Sequence, residues 1–177
     1  MIKHFWGKVN VQAASAYYYF SKGEKVQHLI HQLKYQGKKE VGNFVGEACG
    51  IDLKQSELFA SAEIVVPVPL HASKLRKRGY NQSDFFGQGL STSMHIPFSA
   101  DALKRNLATE TQTRKHRYER FENVNRVFEI SKPELLQGKH VLLVDDVVTT
   151  GSTLAACAEA ILELPGTKVS IAAMAYA

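Results

Sequence analysis

Val141-Leu-Leu-Val-Asp-Asp-Val-Val-Thr-Thr-Gly-Ser-Thr-Leu154 is the stretch whose reading decides the fold. It is entered through a short apolar run, His140 to Val144, whose length and β-branched content predict a buried parallel strand. Asp145 and Asp146 follow at once, then a hydroxyl-rich turn, Thr149-Thr-Gly-Ser-Thr153. Leu154 to Leu164, rich in Ala, Leu and Glu, predicts a helix. Strand, loop and helix in that order make half of a βαβ unit, and in open parallel sheets ligands sit at the carboxyl ends of the strands.

The loop's chemistry follows from its residues. Gly151 lets the backbone turn tightly and approach a ligand. Successive N–H groups at a helix N-terminus, with the hydroxyls of Thr149, Thr150, Ser152 and Thr153, make a site for a phosphate. Asp145 and Asp146 are acceptors when ionised, which suits hydroxyl donors or a hydrated Mg²⁺ and not a phosphate. A phosphate cradle beside a hydroxyl-binding acid pair is the layout of a ribose 5-phosphate. A strand ending in two acids could also belong to a nucleoside triphosphatase, but that needs a G-x-x-x-x-G-K-[ST] loop, and Gly37-Lys38 and Gly138-Lys139 both lack the rest of it. An ordinary turn with a helix cap needs far less than this string.

Working outward, the 177 residues suggest one domain able to bury a substantial core. The apolar fraction of 45% and charged fraction of 22% are those of a globular protein, and no apolar run reaches the length of a membrane span. Met1-Ile-Lys-His is followed by Phe-Trp-Gly-Lys8 and not by an apolar core, so no signal peptide is read and a cytoplasmic location is expected. Cys49 and Cys157 read as buried thiols, and without a C-x-x-C pair no zinc site is expected. The net charge of +5 favours an anionic ligand, either a polyphosphate or nucleic acid.

Ser15 to Phe20, with its Tyr17-Tyr-Tyr-Phe20 run, predicts a hairpin or edge strand turning at Ser21-Lys-Gly23; a stack of aromatics for single-stranded nucleic acid is the alternative. Val26, Leu29, Ile30 and Leu33 recur at helical spacing and predict an amphipathic helix over Glu24 to Tyr35, capped near Gly37. His28 and His31 on it have no third ligand nearby for a metal. A second helix follows, Glu40 to Cys49. Ala62 to Leu70 holds the next strand, with Pro67 and Pro69 confining its regular part to Ile64–Val66.

Beyond that strand Lys74, Arg76, Lys77 and Arg78 crowd together, with no acid between His71 and Gln82. A solvated turn and a nucleic-acid patch are both open readings. The position between a parallel strand and a helix, Ser83 to Leu90, favours a basic loop acting as a pyrophosphate clamp, built from Lys74, Arg76, Arg78 and Gly79. Arg78 would supply a guanidinium fork and Gly79 a backbone free to approach. Ile96 to Leu107 predicts a short strand, and Asn123 to Ile130 resumes a strand-like pattern. Between them Thr109 to Val124 is polar and basic. Lys132 to Gly138 is a connection, and Lys168 to Tyr176 a final apolar strand.

Val144-Asp-Asp-Val-Val-Thr-Thr-Gly-Ser-Thr153 resembles the phosphoribosyl-pyrophosphate (PRPP) loop of type I phosphoribosyltransferases. The resemblance implies that Asp145 and Asp146, as catalytic-site residues, hold the ribose 2- and 3-hydroxyls, and that Thr149, Thr150, Gly151, Ser152 and Thr153 hold the 5-phosphate. Val66-Pro-Val-Pro-Leu-His71 and Arg76-Lys-Arg-Gly-Tyr-Asn-Gln-Ser83 are similar to the ComF (GntX-like) branch, as are Leu29 to Gly37 and Thr109 to Val124. The match runs from about Phe5 onward. It implies an α/β, Rossmann-like fold with a mostly parallel sheet flanked by helices, in one domain over 1–177: an N-terminal segment to about 23, then the core. Mg²⁺ would come with PRPP, with Asp145 and Asp146 as candidate ligands. Thr109, Gln112 and Arg117 would lie in a mobile hood over the site.

The implied activity is phosphoribosyl transfer from PRPP to an unidentified nitrogen nucleophile with release of pyrophosphate. The alternative is a PRPP- or nucleotide-binding adaptor in DNA uptake that contacts single-stranded DNA and a competence helicase. A homodimer is compatible with either. The N-terminal four-cysteine zinc module typical of that branch has no counterpart here.

Overall fold

The computed structural model describes residues 1–5, 7–19, 25–106 and 127–177. Four near-continuous apolar runs become strands: β1 (Ala13–Tyr19), β2 (Ile64–Pro67), β5 (His140–Val148) and β6 (Lys168–Tyr176). They form one sheet in the order β1-β6-β5-β2, and every pairing in it is parallel. Alternate residues feed two cores, which is why the runs show no polar alternation. Ile64, Val66, Val141, Leu143, Val169 and Ile171 pack on one side with Leu154, Ala158 and Ile161 of α7 (Ser152–Leu162). Val65, Leu142, Val144, Ala172 and Met174 pack on the other with α1 (Lys25–Tyr35), α2 (Lys39–Lys54) and α5 (Gln82–Met94). Leu142 and Leu143 are both fully buried, and each contributes about 1.5–3 kcal/mol relative to exposure.

α2 and α5 approach at backbone contact. A Cβ on Gly46 would lie 2.2 Å from the Phe86 carbonyl oxygen, and one on Gly89 would lie 2.2 Å from that of Asn43. Glycine is therefore required at this crossing. A short helix, α3 (Glu57–Ala60), leads into β2. α4 (Ala72–Arg78) joins β2 to α5. β3 (Leu103–Arg105) and β4 (Phe128–Ile130) form a separate antiparallel ribbon, and α6 (Pro133–Leu136) returns the chain to β5. Among the described residues no helix is long and apolar enough to cross a membrane.

Several expectations are corrected. β5 does not stop at Val144: it carries both acids and runs to Val148, because Val147 and Val148 pair with Ala175 and Tyr176 of β6. β1 is an edge strand but not a hairpin arm; its partner is β6, in parallel. Pro67 stays inside β2, which a sheet-edge position tolerates: among the described residues, beyond the β5 ladder, β2 meets only an isolated bridge from Val65 to Phe98. The basic segment after β2 is a helix and not a loop.

At the amino end of β5, His140 is buried between Ser61 Oγ at 2.9 Å and Ser170 Oγ at 2.8 Å. Burial moves its pKa below the ordinary histidine value, so it is a satisfied core histidine far along the strand from the acids.

Candidate functional site

The carboxyl edge of the sheet gathers the acids, the hydroxyl loop and the basic helix. β2 and β5 are parallel neighbours, with Pro67 opposite Val144, and the Val68 N–H donates to the Val144 carbonyl at 2.8 Å. The exit of β2 therefore lies beside Asp145. Asn81 fixes that exit: its amide donates to the Val68 carbonyl at 3.0 Å and to Asp84 Oδ1 at 2.7 Å. Burial raises Asp84 to about 6 against the pull of the Asn81 bond.

Each acid is held by the N–H that follows it. Asp145 Oδ1 accepts from the Asp146 N–H at 2.8 Å and from Ser83 Oγ at 2.9 Å. Asp146 Oδ1 accepts from the Val147 N–H at 2.6 Å, and its Oδ2 pairs with Lys34 Nζ at 2.8 Å. Burial, then the Asp146 charge, pushes Asp145 up to about 7; its two hydrogen bonds and Lys34 oppose the rise. Desolvation and the neighbouring charge thus both favour the protonated form of Asp145.

The Thr/Ser loop forms a cradle. Gly151 turns at φ 72° as the N-cap of α7, whose first turn contains no acid. Thr149, Thr150, Ser152 and Thr153 are exposed around it. Asp145 and Val147 to Leu154 line a cavity of about 50 Å³, several times the space one water needs. Thr150 Oγ1 and Ser152 Oγ lie 3.0 Å apart, and Lys8 Nζ donates to the Thr150 carbonyl at 3.3 Å. Exposed hydroxyls, a nearby lysine and a helix N-terminus suit a compact anion.

α4 is capped by His71, whose Nδ1 accepts from the Ser73 N–H at 3.3 Å, and by Gly79 in the left-handed region at φ 78°. Lys74, Arg76 and Lys77 are exposed on it. Arg78 is already engaged: Nη1 donates to Gln82 Oε1 at 2.7 Å, and the guanidinium lies 5.5 Å from the centre of the Tyr35 ring. The segment is a helix with exposed cations where a loop clamp was expected. Thr109, Gln112 and Arg117 lie outside the described residues.

Lys34, Ser83, Lys8 and Asn81 are site residues that the sequence reading missed. Lys34 sits one residue beyond Leu33 on a polar helix face, and nothing local marks it as the partner of an acid on β5. His28 and His31 do not converge: His28 pairs with Gln32 at 2.8 Å, and His31 lies against Tyr35. Among the described residues no three His, Cys, Asp or Glu side chains cluster to hold a metal ion. Asp145 and Asp146 could still give one or two carboxylate contacts, which fits a Mg²⁺ carried by phosphate oxygens better than a protein-caged ion.

The chain is similar to several known proteins. The phosphoribosyl transferase domain family matches residues 68–177. DNA utilization protein YhgH of Escherichia coli (strain K12) is 34% identical over 137 residues, covering 76% of this chain and 60% of that protein. Competence protein F of Haemophilus influenzae is 34% identical over 136 residues, covering 74% and 59% respectively. Competence protein ComFC of Bacillus subtilis is 28% identical over 147 residues, covering 81% and 56%. The chain thus matches 56–60% of the length of these relatives. In fold it resembles the allosteric regulatory enzyme of purine biosynthesis (TM-score 0.55, 18% identity, 81% of this chain and 30% of that one). Glutamine PRPP amidotransferase from B. subtilis matches equally in fold (TM-score 0.55, 17% identity, 81% and 30%).

Proposed function

The chain belongs to the phosphoribosyl transferase domain family, and from that premise we propose that it binds PRPP and passes its phosphoribosyl group to a nitrogen nucleophile. The observation that carries this is one continuous turn in which Asp145 and the Thr149–Thr153 cradle line the same cavity. Asp145 and Asp146 accept hydrogen bonds from the ribose 2- and 3-hydroxyls, and Thr149, Thr150, Gly151, Ser152 and Thr153 enclose the 5-phosphate. Lys74, Arg76 and Arg78, with Gly79, face the pyrophosphate.

In the reaction the bond from the anomeric carbon to the pyrophosphate oxygen breaks and a carbon–nitrogen bond forms. The nucleophile's proton passes to water or to the departing pyrophosphate, which leaves. This chain's residues hold the sugar still and neutralise the leaving group. Mg²⁺, when bound, supplies further charge neutralisation at the pyrophosphate, with Asp145 and Asp146 as its candidate protein contacts. The acids act as positioning groups for the sugar. The protein is proposed to act in the cytoplasm.

A second reading is favoured by the names of the relatives, a DNA utilization protein and competence proteins. In it the same site binds PRPP or a nucleotide without turnover, and the chain serves as an adaptor in DNA uptake beside single-stranded DNA and a helicase partner, alone or as a homodimer. A pyrophosphate-release assay with Mg²⁺, PRPP and a panel of nucleobases and amines separates the two. Release that depends on one acceptor supports transfer; PRPP binding without release under any acceptor supports the adaptor.

A further inference from the structure

α2 carries apolar residues on more than its core face. Val45, Cys49 and Leu53 are buried in the core, and Gly42, Gly46 and Gly50 sit against α5. On the outward face Phe44 is 73% exposed and Ile51 54% exposed. They stand seven residues apart, close to two helical turns, and therefore lie on one line. Ala48, half-buried, falls between them. Glu40, Glu47 and Lys54 form a second exposed line at the same spacing along one flank of this seam. Among the described residues neither Glu40 nor Lys54 has an ion-pair partner.

A lone exposed apolar side chain is ordinary. An aligned aromatic and aliphatic pair with a small residue between them is the pattern of a helix-packing seam. Its occupant is read from its symmetry. Turned end over end, a second α2 lays its Ile51 on Phe44 and its Phe44 on Ile51, while Ala48 lets the two backbones approach near the axis. The same reversal sets Glu40 of each copy beside Lys54 of the other, because the acid stands at one end of the flank and the base at the opposite end. Those two attractive pairs outnumber the like-charge contact of Glu47 with its own copy near the axis. A self-complementary pattern of this kind is what an isologous contact requires.

We infer that the outward face of α2 is a homodimer interface, in which α2 packs antiparallel on α2 of a second copy across a two-fold axis. Phe44 and Ile51 supply the apolar contact, and Glu40 and Lys54 set the orientation. The interface stands independently of the sugar-phosphate reading.

Sedimentation equilibrium over a range of protein concentrations tests it on the wild type, Phe44→Ser, Glu40→Lys, Lys54→Glu and the double variant Glu40→Lys/Lys54→Glu. The altered side chains are exposed, and an unchanged urea midpoint for each variant checks that folding is retained. The wild type is expected to dimerise. Phe44→Ser removes the ring from both sides of the axis and should weaken the dimer about 100-fold or more. Each single charge reversal puts like charges together at both ends and should weaken it by about 5- to 50-fold. The double variant exchanges the charges and should return to within about 3-fold of the wild type. A wild type that stays monomeric at every concentration, or a dimer that Phe44→Ser leaves intact, overturns the interface. A double variant as weak as the single reversals overturns the antiparallel pairing.

Discussion

Replacing Lys34 with methionine removes the cation at Asp146 Oδ2 while keeping most of the side chain's bulk. The pair's side chains are only 20% and 14% exposed. Breaking an exposed pair costs about 0–1 kcal/mol and breaking a buried one about 3–5 kcal/mol, so about 1–3 kcal/mol of stability should be lost. The loss is read as a lower urea midpoint at unchanged slope. A second effect separates this pair from a merely structural one. Lys34 lowers the pKa of Asp145, which burial and Asp146 have raised to about 7. Ribose hydroxyls bind the ionised carboxylate, so PRPP affinity in the wild type should rise with pH through about 7. In Lys34→Met that rise moves to higher pH, and Lys34→Arg restores it. A midpoint that stays put or moves to lower pH in Lys34→Met would refute the reasoning, whatever the change in stability.

Other outcomes follow from the same geometry. Gly46→Ala and Gly89→Ala each force apart α2 and α5, whose facing carbonyls would lie 2.2 Å from the new Cβ; each should cost about 1–3 kcal/mol or more in urea unfolding. Gly151→Ala places a side chain at φ 72°, costing about 1–2 kcal/mol and weakening PRPP binding more than it lowers the thermal midpoint. His140 is shifted below its ordinary value of 6.5, so the unfolded chain takes up that proton first and stability should fall as pH drops below about 6.5. Asp84 is shifted up to about 6 from 3.8, so the native state keeps a proton that the unfolded chain releases, and stability should fall as pH rises between those values. Urea titrations of His140→Gln and Asp84→Asn should each flatten the corresponding slope.

What was legible in the sequence was local. The β5–loop–α7 unit announces itself because an apolar run, two acids and a glycine turn are contiguous, and β6 appears over Lys168–Tyr176 as its largely apolar pattern predicts. α1 follows from its 3.6-residue period. The end of β5 was not legible, since Val147 and Val148 between acids and hydroxyls suit a loop as well as a strand until β6 is there to pair with them. α4 carried its own signals, a histidine cap, good helix formers and Gly79 as a stop, but its charge drew the reading toward a loop clamp. Lys34, Ser83 and Lys8 reach the site only through tertiary packing, in pairs 62 to 142 positions apart that no local pattern encodes. The glycines of α2 and α5 likewise acquire meaning only once the two helices cross.

The central claim is that the acid pair and the Thr/Ser cradle form one sugar-phosphate site. Calorimetric titration of PRPP with Mg²⁺ into the wild type and into an Asp145→Asn/Asp146→Asn variant tests it most directly. Saturable binding to the wild type that is lost in a folded variant is the predicted result. A folded wild type that takes up no PRPP, or a variant that binds it as well as the wild type does, would contradict the account.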